Sequence, residues 1–205
     1  MLHYETIEPA TLELLKRLQE IPLLSKTRLV GGTSLALQIG HRKSIDIDLF
    51  GEVDCEQYEL VDSLSEIGKL TIIKESRNIH VYQLDGVKVD IVNYKYPWIK
   101  PMIVEDELRL ADIRDIAAMK ITTIIGRGTK KDFIDLAFLL DIFPLDKILS
   151  CYEKKYSEAS RFMAMKSLVY FDDAEPEPMP YMLKAKSWND IKERILKENF
   201  KPNKL

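Results

Sequence analysis
The hydrophobic period of this 205-residue chain changes once, near Pro97, and that change constrains its fold more than any other feature. Before Pro97, stretches of strict apolar/polar alternation such as "SIDIDLF" and "VKVDIVNY" sit between helical segments. After it, apolar residues recur three and four apart. A period of two belongs to half-buried strands and a period near 3.6 to helices packed on a core. The chain therefore reads as α/β: a mixed-sheet core over residues 1–97, followed by a helical module over 98–205.

Within the first part, Leu12, Leu15 and Leu18 predict an amphipathic helix from Pro9 to Glu20, ended near Pro22. "TRLVGGTS" reads as a short strand entering a glycine turn. A helix from Ser34 to Ile39 should follow, capped by Thr33 or Ser34 and stopped by Gly40. "SIDIDLF" is a strand, and "YELVDSLSEIGK" is a helix with Leu60, Leu64 and Ile67 inward. Three short strands are expected at 70–74, 78–84 and 87–92, the last two joined by the two-residue turn Asp85-Gly86. In the second part, a helix should start at an Asp112 cap, with Asp115 three residues on, and end at Gly126. "KKDFIDLAFLLDIF" forms the next helix, helical periodicity continues over 146–170, and a last helix runs from about Trp188 to Glu198. "FDDAEPEPMPYM" between them reads as a solvated acidic connection.

With 46% hydrophobic residues, this length can bury a substantial core. Charged residues nearly balance at a net −3, so no global field draws the chain to nucleic acid or acidic lipid. The opening residues lack a basic segment followed by a long apolar one, and no apolar run reaches membrane-spanning length, which points to a cytoplasmic protein without a membrane partner. Cys55 and Cys151 lie far apart and share no CxxC or Cys/His spacing, so two reduced thiols are expected. His3, His41 and His80 form no helical metal pair, and no serine has a GxSxG setting.

Two residues apart on one strand, Asp46 and Asp48 share a face, with Ile45, Ile47 and Leu49 on the other. Adjacent carboxylates repel, so the pattern needs either open solvent or a cation on that face. A third carboxylate, Asp90, stands beside Lys88 on the polar side of "VKVDIVNY". If these strands are neighbours, Asp46, Asp48 and Asp90 converge into an oxygen cluster suited to magnesium. Upstream, Gly31 and Gly32 allow backbone amides to approach an anion at a helix start, and Thr33 and Ser34 add hydroxyls. A tight turn with a helix cap satisfies the same residues. Lys120 falls on the apolar stripe of Ile113, Ile116, Ala117, Ile121 and Ile124, where its ammonium must reach water or meet an anion. Lys131, Asp132 and Asp135 open the following helix.

Four blocks in this order, "GGTSLAL", "HRKSIDIDLF", "DIAAMKITTIIGR" and "KKDFIDLAFLL", resemble the AbiEii/AbiGii type of bacterial toxin within the nucleotidyltransferase superfamily. They span most of residues 28–142, and the final third carries none of them. The resemblance implies a polymerase-β-like core, with the helical module completing the active-site cleft. It also implies a divalent metal, Mg2+ or Mn2+, on Asp46, Asp48 and Asp90, with Asp90 as general base. Nucleotide contacts would come from Gly31, Gly32, Thr33, Ser34, Arg42, Ser44, Lys131, Asp132 and Asp135, with Lys120 neutralising phosphate charge. The implied activity is transfer of NMP from an NTP to a hydroxyl of RNA, such as tRNA, or of protein, by a toxin whose partner is a separately encoded antitoxin. An RNA acceptor would need a local basic groove, drawn from Lys120, Arg127, Lys130, Lys131, Arg109 and Arg114. A non-catalytic nucleotide- or partner-binding module and an antibiotic-modifying nucleotidyltransferase use the same core and remain the alternatives.

Overall fold
The computed structural model describes residues 1–201. It divides into two compact units, one of residues 1–96 and 101–112, the other of 97–100 and 113 onward. The last four residues of the helical module expected over 98–205 lie outside the described residues.

The first unit contains helices α1 (Pro9–Glu20), α2 (Gly31–Ile39) and α3 (Gln57–Ser65). Its strands are β1 (Thr27–Leu29), β2 (Ile47–Gly51), β3 (Leu70–Glu75), β4 (Ile79–Leu84), β5 (Val87–Asn93), β6 (Ile103–Glu105) and β7 (Leu108–Leu110). They form one seven-stranded sheet in the order β3-β4-β5-β2-β1-β7-β6. The sheet is mixed: β2 runs parallel to β5 and β1 parallel to β7, whereas β1–β2, β3–β4, β4–β5 and β6–β7 are antiparallel.

One face of the sheet carries the core. Ile47 and Leu49 of β2, Tyr82 and Leu84 of β4, and Val89 and Ile91 of β5 are fully buried there. They join Leu15 and Leu18 from α1 and Leu60 and Leu64 from α3 in one hydrophobic cluster. Alternation then sends Asp48, Lys88 and Asp90 to the other face. Asp85-Gly86 makes the expected β4–β5 turn, with φ of 49° and 85°.

Three features differ from the sequence reading. The β6–β7 hairpin lies in a region read as helical, and it turns on Asp106 and Glu107, both left-handed (φ 50° and 67°) without a glycine. Its strand β7 extends the sheet beside β1. Helix α2 begins at Gly31, three residues before the expected start, with Val30 as the N-cap. Thr33 and Ser34 cannot cap it because both are buried within its first turns. Strand β2 begins at Ile47, so Ile45 precedes the pleat and is 58% exposed instead of facing the core.

The second unit is helical: α4 (Ile113–Gly126), α5 (Lys130–Leu139), α6 (Leu145–Lys155), α7 (Arg161–Ser167) and α8 (Trp188–Asn199). Helix α4 packs against α5, α6 and α7, and α5 against α8. Phe133, Phe171 and Trp188 meet edge-on or tilted in its interior. Asp115, in the first turn of α4, is fully buried. Its carboxylate accepts the backbone N–H groups of Ile99 (2.9 Å) and Lys100 (3.1 Å) and pairs with Lys155 at 2.7 Å, both side chains having no exposure. Lys155 also donates to the Pro97 carbonyl and lies 4.3 Å from the Trp98 ring centre. This buried pair fixes residues 97–100 within the helical unit. The acidic connection is also partly tied down: Glu175 accepts from Trp188 and Lys192, and Glu177 from the Lys130 backbone.

Candidate active site
Asp48 and Asp90 are register partners on the neighbouring parallel strands β2 and β5, half-buried on the face away from the core. Directly opposed residues on adjacent strands stand about 5 Å apart. Asp46 lies in the lead-in to β2 and is also half-buried. The strand adjacency on which convergence of these carboxylates depends is therefore present.

The glycine turn abuts the same spot. The Val30 amide donates to the Asp48 carbonyl at 2.9 Å, which fixes the chain entering α2 to β2. Gly31 has φ +69°, and a Cβ there would lie 2.1 Å from Asp48 Oδ2. A Cβ on Gly32 would lie 2.3 Å from an Arg42 guanidinium nitrogen and 3.4 Å from Ser44 Oγ. Both glycines thus permit close approach, one to a carboxylate and the other to a cation.

The hydroxyls act inwardly. Thr33 donates to the Asp46 carbonyl, and its oxygen lies 2.9 Å from the Ser44 hydroxyl, so the first turn of α2 holds the segment that delivers Asp46. Ser34 is fully buried, and its hydroxyl and carbonyl accept from Gln38. Arg42 is 3% exposed and donates to the Lys43 carbonyl. Of the predicted nucleotide contacts in this unit, Gly31, Gly32, Thr33, Arg42 and Ser44 surround the aspartate strand, whereas Ser34 is packed into its own helix.

Asp90 has a partner that the sequence only hinted at. Lys88, two residues earlier on the same face, places its ammonium 2.6 Å from both Asp90 oxygens. The lysine side chain is 44% exposed and the aspartate 22%. The carboxylates have not closed into a ready-made cluster: among the described residues, no three His, Cys, Asp or Glu side chains are arranged to hold a metal ion. The donor set still fits a hard divalent cation, being all oxygen, half-solvated and anchored by strand register. Gly31 leaves room at Asp48 Oδ2 that any side chain would fill.

In the helical unit, Lys120, Asp132 and Asp135 come together. The Lys120 ammonium lies 3.0 Å from Asp132 and 2.6 Å from Asp135, with side-chain exposures of 6%, 1% and 0%. The anion that this stripe lysine meets is thus supplied by the chain itself. Burial would push the Asp132 carboxyl up, but Lys120, Arg127 and the Thr129 hydroxyl together hold it below the ordinary carboxylate range. Lys131 points outward and is exposed.

Four of the cations expected for a basic groove make internal bonds, Arg127 among them through the Asp132 carboxylate at 3.2 Å. Lys120 holds the two aspartates. Lys130 is buried, donates to the Glu175 and Glu177 carbonyls and lies over the Trp188 ring. Arg109 donates to the Gln19, Leu24 and Thr27 carbonyls. His41 and His80 are buried, and burial lowers His80 below the ordinary imidazole value.

The mixed sheet thus sets facing aspartates on adjacent parallel strands beside a glycine-led helix start. Residues 13–203 match the family described as "Nucleotidyl transferase AbiEii toxin, Type IV TA system", and the chain belongs to that family. It is accordingly a nucleotidyltransferase. An uncharacterized protein of Aquifex aeolicus (strain VF5), aq_aa25, is 32% identical over 174 residues, covering 80% of this chain and 83% of that protein. JHP933 from Helicobacter pylori has a similar structure, with a TM-score of 0.58 at 19% identity over 94% of this chain and 91% of that one. MenT4, a nucleotidyltransferase toxin from Mycobacterium tuberculosis H37Rv, matches with a TM-score of 0.57 at 12% identity, over 91% and 82% of the two chains. These likenesses establish the polymerase-β-like nucleotidyltransferase fold for this chain. No helix among the described residues is long and apolar enough to cross a membrane.

Proposed function
We propose that this chain is a metal-dependent toxin that transfers NMP from an NTP to an acceptor hydroxyl on RNA, of which tRNA is one form, or on protein. The observation that carries this reading is the register pairing of Asp48 with Asp90, with Gly31 against Asp48. Asp46, Asp48 and Asp90 are the residues that would hold Mg2+ or Mn2+. When bound, such an ion supplies Lewis-acid neutralisation of phosphate charge.

Asp90 takes the proton of the acceptor hydroxyl as its oxygen bonds to the α-phosphorus. The bond from that phosphorus to the bridging oxygen breaks, and pyrophosphate leaves. The backbone around Gly31 and Gly32 and the Arg42 guanidinium are assigned to the negative charge of the triphosphate, which preorganised donors and cations stabilise in such reactions. Thr33 and Ser44 act by holding the Asp46 segment. From the helical unit, exposed Lys131 is assigned to phosphate contact, with Lys120, Asp132 and Asp135 as a buried charged support. A cytosolic setting and a separately encoded antitoxin complete the proposal.

The test is incubation of purified protein with each of the four α-labelled NTPs, Mg2+ and cell extract, beside Asp48→Ala. Label reaching RNA or protein only with the wild type supports transfer and identifies the nucleotide and acceptor class. Metal-dependent NTP binding without transfer would instead favour a non-catalytic binding module, and label on an added aminoglycoside alone would favour antibiotic modification.

A further inference from the structure
The Lys88–Asp90 pair is a contact on the aspartate strands that competes with the proposed chemistry. A carboxylate that faces a divalent cation cannot also give both oxygens to an ammonium, yet Lys88 lies 2.6 Å from each Asp90 oxygen. The pairing follows from the strand itself, since residues two apart share a face. It is also reversible: the lysine is 44% exposed, so its head can swing to water on a flexible stem without leaving a buried charge unpaired.

We propose that Lys88 is the counter-ion that Asp90 exchanges for the metal. In the metal-free protein the ammonium positions the Asp90 carboxylate and offsets its repulsion from Asp48, its register partner. Cation binding releases Lys88 on the face where phosphate charge would accumulate. Lys88 is thus a positioning residue that sets the metal requirement, and the inference rests on the proposed metal role of Asp90.

Mn2+ alone is the probe, titrated into the full chain at physiological ionic strength and followed by loss of the free-ion EPR signal. Lys88→Met should bind Mn2+ roughly two- to five-fold more tightly than wild type, the range carried by a part-exposed ion pair. Lys88→Arg, whose planar fork keeps both oxygens engaged, should bind no more tightly than wild type. Lys74→Met removes the same charge from the same face two strands away, since Lys74 pairs with Val81 and Val81 with Asp90. At about 10 Å that charge is largely screened, so this variant should match wild type. Lys88→Met binding no tighter than Lys74→Met, or Lys88→Arg behaving like Lys88→Met, overturns the exchange. Asp90→Asn separates the two levels of the argument. If it binds Mn2+ as wild type does, the metal role of Asp90 falls and the exchange with it. If it loses Mn2+ while Lys88→Met is unchanged, the exchange alone falls.

Discussion

Replacing Lys120 with methionine removes the cation from a buried group that holds two carboxylates, and the structure sets both the size and the pH dependence of the effect. Lys120, Asp132 and Asp135 are at most 6% exposed, so the carboxylates cannot turn to water when the ammonium is lost. Breaking a buried pair on one side costs about 3–5 kcal/mol. For a chain of this length, that lowers Tm by roughly 6–20 °C, at about 2–4 °C per kcal/mol. In the wild type the Asp132 carboxyl lies below its ordinary value. Its contribution is therefore full above the unfolded value, about 4, and fades as pH falls through the depressed folded one. Without Lys120, the buried group carries one more uncompensated negative charge, which protonation relieves, so the variant should regain stability relative to wild type as pH falls from 7 towards 5. Thermal melts followed by circular dichroism at the two pH values measure both effects. Lys120→Met/Asp135→Leu should recover most of the loss, because Asp132 keeps Arg127 and Thr129. A Lys120→Met protein that melts within about 2 °C of wild type at both pH values, less than 1 kcal/mol of effect, would refute this account.

Three further outcomes follow from named contacts. Gly31→Ala meets both a φ of +69° and Asp48 Oδ2 at 2.1 Å, so it should reduce transfer by about ten-fold or more while the protein stays folded; wild-type rates with a native circular dichroism spectrum would contradict this. Asp115→Ala strands a fully buried Lys155 and should cost about 3–5 kcal/mol in urea unfolding, whereas Asp115→Leu/Lys155→Met should cost far less. Thr33→Val removes the bond to the Asp46 carbonyl and should cost about 1 kcal/mol, with a matching decrease in Mn2+ affinity if that segment delivers Asp46.

Much of this architecture was legible because its residues announce their own period. Leu15 and Leu18, the alternation around Asp48 and Asp90, and the Asp85-Gly86 turn each fix local structure with local chemistry. What escaped depends on distant partners or unusual backbone. The β6–β7 hairpin turns on Asp106 and Glu107, which adopt left-handed φ without the glycine or asparagine that signals such a turn. Parallel pairing of β2 with β5 spans some forty residues and leaves no mark on either strand, so the aspartates could be suspected but not joined. Thr33 looked like a cap, yet its hydroxyl crosses to Asp46, and the apolar stripe around Lys120 does not say that two aspartates of the next helix pair with its ammonium. Lys88 was visible on the polar face beside Asp90, but spacing alone does not say that an ammonium covers both oxygens.

The central claim is that the Asp48–Asp90 strand pair transfers nucleotide. The most direct measurement is label transfer from α-labelled NTPs in Mg2+ with cell extract, comparing wild type, Asp48→Ala and Asp90→Asn at equal folded concentration. The account predicts label on RNA or protein with the wild type and a loss of about a thousand-fold or more with either variant, since both residues act on the reacting phosphate. Transfer by Asp90→Asn at the wild-type rate would contradict it.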